Sequence, residues 1–180
     1  MKTSEIIKKE LYESGAMDIY NRIRQKIKDL KKSCGFECKM CGNCCTPNVN
    51  FSEVDFFYMK EKGANLEGVE TWKASDGSLI SKKSLKHKLS KLGFGSTGIC
   101  FYEKEKPEIT LCKIHPNNPL VYHSFPFVVN LSDKLFTIKE NCTWMKKNYE
   151  NFIVEIKFVE EIKDLIVEYW HVLEKYSEIA

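Results

Sequence analysis

Residues 34–45 read CGFECKMCGNCC, and five of the chain's eight cysteines lie in these twelve positions. Cys38, Cys41, Cys44 and Cys45 give C-x2-C-x2-C-C. A C-x2-C step lets two thiolates face one metal while the intervening backbone turns around it. Gly42 suits such a turn, because glycine accepts backbone angles that other residues resist. Cys44 and Cys45 are adjacent, and neighbouring side chains in an extended segment point apart. Two metals or a multinuclear centre therefore suit the run better than one tetrahedral ion.

Around this run the chain carries ordinary globular numbers. It has 180 residues, 43% hydrophobic and 29% charged, enough for one packed domain spanning 1–180. The net charge of +3 is well below that of a dedicated nucleic-acid binder. From Gly77 to Tyr102 there are five lysines and no acids. Lys86, His87 and Lys88 lack aromatics at a stacking spacing, so the run reads as a solvated face rather than a nucleic-acid surface. A protein partner stays open, and no particular partner is indicated. MKTSEIIKKELYESG at the N-terminus is no secretory signal, and no stretch approaches the length of a membrane span. A cytoplasmic location is the expectation. Thiols stay reduced there, which favours metal ligands or redox groups over structural disulfides.

Upstream of the cysteines, Ala16, Tyr20, Ile23, Ile27 and Leu30 recur at helical spacing, with Lys26, Lys28, Lys31 and Lys32 crowding the end of the helix. Ile6, Ile7 and Leu11 extend the pattern, but Gly15 interrupts it, which predicts a bend or two helices. Downstream, Ser52 is positioned to cap a short helix over 53–62 that stops at Gly63. Val54, Phe56, Phe57, Tyr58 and Met59 are dense enough to bury it. Asp76-Gly77 is a hairpin-turn dipeptide. GICFYEKEKPEITLCKIH predicts two strands around a charged turn at Pro107, and FVVNLSDKLFTIKE a second hairpin turning at Ser132-Asp133. From Trp144 onward the chain reads as helix, with a stripe of Phe152, Ile156, Val159, Ile162, Ile166, Tyr169, Leu173 and Tyr176 that should pack on the first helix. The fold class expected is α+β, a single small domain with helices at both ends, short β-hairpins and a cysteine-rich metal-binding centre.

The remaining cysteines are Cys100, Cys112 and Cys142. Cys100 and Cys112 fall one in each strand of the first expected hairpin, and Cys142 follows the second. Ligands carried by hairpins can close over the N-terminal run, so that metal binding contributes directly to folding free energy, on the order of 10 kcal/mol for a structural zinc. Taken singly, each is as readily a small buried hydrophobe. His115, three residues after Cys112, can ligate or hydrogen-bond a thiolate. His87 and His171 read as surface or packing residues.

These residues resemble the YkgJ-type cysteine-cluster family, described as a zinc- or iron-chelating domain. Phe36 leads into Cys38, Cys41, Gly42, Cys44 and Cys45; Gly98, Cys100 and Tyr102 match a second element; Cys112, Ile114 and His115 a third; Pro119, Phe125 and Pro126 a fourth; and Cys142 the last. The resemblance covers residues 36–142. It implies a ligand set of Cys38, Cys41, Cys44, Cys45, Cys100, Cys112 and Cys142 for zinc or iron. The chain departs from the family's R-P-x2-C-R segment: Asn118 and His123 replace both arginines, and Tyr122 stands at the expected cysteine. Cys34 and His123 are the residues available to compensate. The resemblance brings no settled reaction with it.

Two functions compete. One is a zinc protein whose metal holds the domain together. The other is an iron–sulfur protein, carrying a 4Fe-4S cluster for redox chemistry or forming part of a protein-methylating enzyme. The C-x2-C-x2-C run matches ferredoxins only in part, because Cys45 follows Cys44 directly. Cys34-x3-Cys38-x2-Cys41 has radical SAM spacing, but Met40 occupies the usual aromatic place and the chain lacks strand–helix alternation. No glycine-rich nucleotide loop supports methylation. Hydrolysis is disfavoured too, since thiolate donation makes a metal a weak Lewis acid and Glu37 is the only acid within the run.

Overall fold

The structure is a computed structural model and describes residues 3–38, 49–51, 53–64, 95–97, 102–106, 109–112, 116–130, 135–139, 142–148, 150 and 154–179. The order of elements is α1 (Thr3–Glu13), α2 (Ala16–Ser33), β1 (Val49–Phe51), α3 (Glu53–Glu61), β2 (Gly95–Thr97), β3 (Tyr102–Lys106), β4 (Ile109–Cys112), α4 (Leu120–Ser124), β5 (Phe127–Asn130), β6 (Leu135–Ile138), α5 (Thr143–Asn148) and α6 (Ile156–Ile179). Helices stand at both ends with short antiparallel strand pairs between them, which is the α+β arrangement expected.

The interruption at Gly15 is real. Its φ of 81° lies in the left-handed region, where glycine carries no Cβ penalty, and α1 ends there while α2 begins. The stripe on α2 is buried as its spacing requires: Ala16, Tyr20, Ile23, Ile27 and Leu30 all lie in the core. It packs against α6, whose Ile162, Leu165, Ile166, Tyr169 and Leu173 share the same cluster. Each such side chain contributes roughly 1.5–3 kcal/mol on burial, so this helix pair holds much of the hydrophobic stabilisation. Two ion pairs, Arg22–Glu168 at 3.2 Å and Lys26–Glu161 at 2.5 Å, flank the seam. They are part-exposed and set alignment more than stability.

α3 adds Val54, Phe56, Phe57 and Met59 to this core, with Tyr58 half-buried, and the chain turns after it at Gly63. Ser52, the expected cap, lies outside the described residues, as do the Asp76-Gly77 turn and most of the lysine run.

Both expected hairpins form. β3 and β4 pair antiparallel with Tyr102 opposite Cys112, and β5 and β6 pair with Phe127 opposite Ile138. Pro107 and Ser132-Asp133 at their turns lie outside the described residues. A third pair, β1 with β2, joins Val49 to Thr97 across a long stretch of chain. Sequence reading did not foresee it.

The C-terminal helix differs from expectation. α5 is short, Val154 and Glu155 are not helical, and α6 starts only at Ile156. Ile156 is 73% exposed and does not belong to the buried stripe. Ile162, Ile166, Tyr169 and Leu173 of the expected stripe are buried, Val159 is half-buried, and Leu165 joins them, because the register of burial is set by α2 and not by apolar spacing alone. Phe152 lies outside the described residues.

Candidate metal centre

α2 delivers the chain to the cysteine run through a defined stop. Gly35 takes a φ of 66°, the Phe36 N–H donates to Lys31 O at 2.8 Å, and the Gly35 N–H donates to Lys32 O at 3.2 Å. This is a Schellman motif, and glycine suits its left-handed position. Lys31 then lies over the Phe36 ring, 4.9 Å from its centroid. Helix end, aromatic residue and Cys38 thus follow one another within a few residues.

Three cysteines have described side chains, and none of the three is in a disulfide. Cys38 is exposed. Cys142 is buried, 6% exposed, in a small cluster with Trp144 and Met145, against which Phe36 and Phe125 pack. Phe36 and Trp144 meet edge to face with ring centroids 5.2 Å apart. The start of the cysteine run and the last cysteine are therefore brought together by an aromatic contact. Cys34 behaves differently. It is half-buried at the end of α2, its Sγ–H donates to Lys31 O at 3.4 Å, and burial pushes its thiol above the ordinary value.

Cys112 closes β4, but its side chain lies outside the described set. Cys41, Cys44, Cys45, Cys100 and His115 lie outside the described residues altogether. Among the described residues, no three His, Cys, Asp or Glu side chains converge on a common point. The backbone nevertheless sets how the surrounding chain is arranged. In β1–β2, Val49 faces Thr97, so the chain entering β1 from Cys45 and the chain leaving β2 toward Cys100 share one end of the ladder. In β3–β4, Tyr102 faces Cys112, so the chain entering β3 and Cys112 share one end of that ladder.

The segment carrying the departures is also placed. Asn118 and Pro119 lead into α4, and Tyr122 is half-buried against the main core. Asn118 Oδ1 is buried with no hydrogen-bond partner among the described residues. His123 Nε2 lies 3.1 Å from Arg24 O, and its own carbonyl accepts from Lys31 Nζ at 2.5 Å. A carbonyl can only accept, so Nε2 donates this bond. His171 lies exposed on α6, as expected.

Sequence reasoning missed a buried polar hub beside this segment. Arg24 on α2 donates to Asn118 O at 2.6 Å and Pro116 O at 3.1 Å, and its guanidinium lies 4.1 Å from the centroid of the Tyr58 ring. Asp55 on α3 accepts from the Leu120 N–H at 2.7 Å and from the Tyr20 hydroxyl. Burial first, and then the charge of Asp55, push the Tyr20 phenol well above its ordinary value, so it stays a donor. One signal was present: Asp55 is an acid in the middle of the apolar run Val54–Met59.

A family model described as CxxCxxCC, "Putative zinc- or iron-chelating domain", matches residues 37–150. The chain belongs to this family. The matched span contains Cys38, Cys41, Cys44, Cys45, Cys100, Cys112 and Cys142, while Cys34, α2 and α6 lie outside it. No curated protein and no solved structure matches the chain. Among the described residues no helix is long and apolar enough to cross a membrane.

The donor chemistry fits the metals in the family's description. The cysteines with described side chains are free, and Cys142 is held near the start of the run. Thiolate-rich sets suit zinc or iron–sulfur centres and are poor hosts for magnesium or calcium.

Proposed function

We propose that the protein chelates zinc or iron through Cys38, Cys41, Cys44 and Cys45 together with Cys100, Cys112 and Cys142. The observation that carries this reading is the family match over residues 37–150, a span that holds all seven of these cysteines, and short tethers of chain support it. Thr97 and Tyr102 are separated only by residues 98–101. Cys100 is therefore at most ~11 Å from Thr97 and ~7 Å from Tyr102 by chain length alone. Cys45 is at most ~14 Å from Val49 by the same limit. Facing residues in antiparallel pairs are about 5 Å apart, so by chain length the Cys100 backbone lies within ~12 Å of Cys112 and the Cys45 backbone within ~19 Å of Thr97. The Phe36–Trp144 contact adds Cys38 and Cys142 to the neighbourhood of the run.

When bound, such a metal supplies either a structural cross-link or a one-electron centre. This chain's own residues supply the thiolates and an apolar wall of Phe36, Phe125, Trp144 and Met145 that limits water near Cys142. With sulfur donors dominant, the site is a closed or redox centre rather than a hydrolytic one.

Metal analysis of protein purified without oxygen tests the reading. A colourless sample with stoichiometric zinc supports the structural form, and a brown one with iron and sulfide supports the redox form. Cys41→Ser and Cys44→Ser should each lower bound metal and destabilise the fold. Full metal content in both variants would overturn the ligand assignment.

A further inference from the structure

Arg24 and Asp55 are each only 5% exposed, yet both carry charged groups in the core. Buried charges are a poor source of stability, because desolvation offsets most of their attraction and apolar residues of similar volume often do as well. What they provide is direction. The guanidinium is a planar fork, and here it spans two carbonyls two residues apart, at Pro116 and Asn118. Asp55 holds the amide of Leu120, the first residue of α4. Between them the two side chains fix three backbone groups within residues 116–120, in orientation as well as position.

The placement of that segment matters for the candidate ligands. It begins directly after His115 and four residues after Cys112. α2, which carries Arg24, ends in the turn that leads to Cys38. α3, which carries Asp55, is entered from Cys45 through β1, and β1 itself packs against α3 and α4. Each element in the hub is thus joined by a short piece of chain to one group of thiols.

We propose that Arg24 and Asp55 are positioning residues for the metal site, locking residues 116–120 against α2 and α3 so that the separate cysteine stretches meet the metal at fixed separations. The inference rests on the chelation reading above. Neither side chain touches the metal. Their effect is on how tightly and in what geometry it is held, as for other groups that orient ligands from one layer out.

The test uses the full chain with the metal it carries after anaerobic purification. The rate of metal transfer to a chromogenic chelator is measured, together with the thiolate-to-metal charge-transfer band of the cobalt-substituted protein. Arg24→Lys keeps the charge but reaches only one carbonyl. It should release metal about tenfold faster and alter the cobalt band, while the loaded protein keeps wild-type helical circular dichroism. Asp55→Ala should act in the same direction. Asp55→Asn keeps an acceptor for Leu120 and should stay close to wild type. A folded Arg24→Lys protein with wild-type release and an unchanged cobalt band would overturn the proposal. Should Arg24→Lys fail to fold, the comparison of Asp55→Ala with Asp55→Asn decides by the same two measurements, and equal release from both overturns it. Wild-type protein that binds no metal would instead sink the chelation reading itself, and this inference with it.

Discussion

Phe36 and Trp144 pack edge to face, 5.2 Å between centroids at an interplanar angle of 66°, although most of the matched family span separates them in sequence. Each ring stands two residues from a thiol: Phe36 before Cys38, Trp144 after Cys142. Two residues of chain span at most ~7 Å, so this one contact limits how far the first and last ligand-bearing backbones can separate. Trp144→Ala should therefore do more than open a cavity. A loss of about 3 kcal/mol is expected from truncating a buried tryptophan. A lower metal-to-protein ratio should accompany it, while Trp144→Phe keeps most of both. Urea unfolding and metal analysis on the same preparations check this, and unchanged metal content in Trp144→Ala would separate the aromatic contact from the site.

Cys34 and Cys142 should respond oppositely to the same substitution. The Cys34 thiol donates to its own helix at Lys31 O and is raised by burial, and serine can make that bond equally well. Cys34→Ser is expected to retain full metal. Cys142→Ser removes a candidate sulfur donor and puts a hydroxyl among Phe36, Phe125, Trp144 and Met145, and should lose metal. Stoichiometric loss from Cys34→Ser would bring that cysteine back into the ligand set.

Helices and hairpins were legible wherever a local rule governed them. The α2 stripe follows from its period, the break before it from Gly15, and two hairpins from short strand-like runs flanking turn residues. The β1–β2 pair was not legible, because three-residue strands far apart in sequence carry no periodic signal of their own. Arg24 was not legible either: it follows Ile23 on the helix, and its burial is decided by the carbonyls of a segment more than ninety residues away. At the candidate site, ligand spacing named the cysteines. Which aromatic wall Cys142 joins is a tertiary fact.

The α2–α6 seam separates apolar spacing from true burial. Ile166 is fully buried against α2, and Ile156 on the same helix is largely exposed. Ile166→Ala should cost about 2–5 kcal/mol in unfolding free energy. Ile156→Ala should stay within about 0.5 kcal/mol of wild type. Equal effects at the two positions in urea titrations would contradict the placement of α6 on α2.

Alkaline titration reads the contact between α1 and α3. The Tyr12 hydroxyl donates to Glu61 Oε2 at 2.5 Å, and its pKa is raised from the ordinary 10.0 to about 12, first by burial and then by the hydrogen bond and negative charge of Glu61. Between these values the folded chain keeps a proton that the unfolded chain has released. The contact's stabilisation is therefore fully present below the unfolded value and is lost as pH rises through the folded one. Tyr12 is 41% exposed, so solvent screening keeps the effect small. Tyr12→Phe should be less stable than wild type at about pH 9, and the gap should close by about pH 12. Urea midpoints of the two proteins across that range supply the measurement, and a gap that does not change with pH would mean that the Tyr12–Glu61 bond is not made in solution.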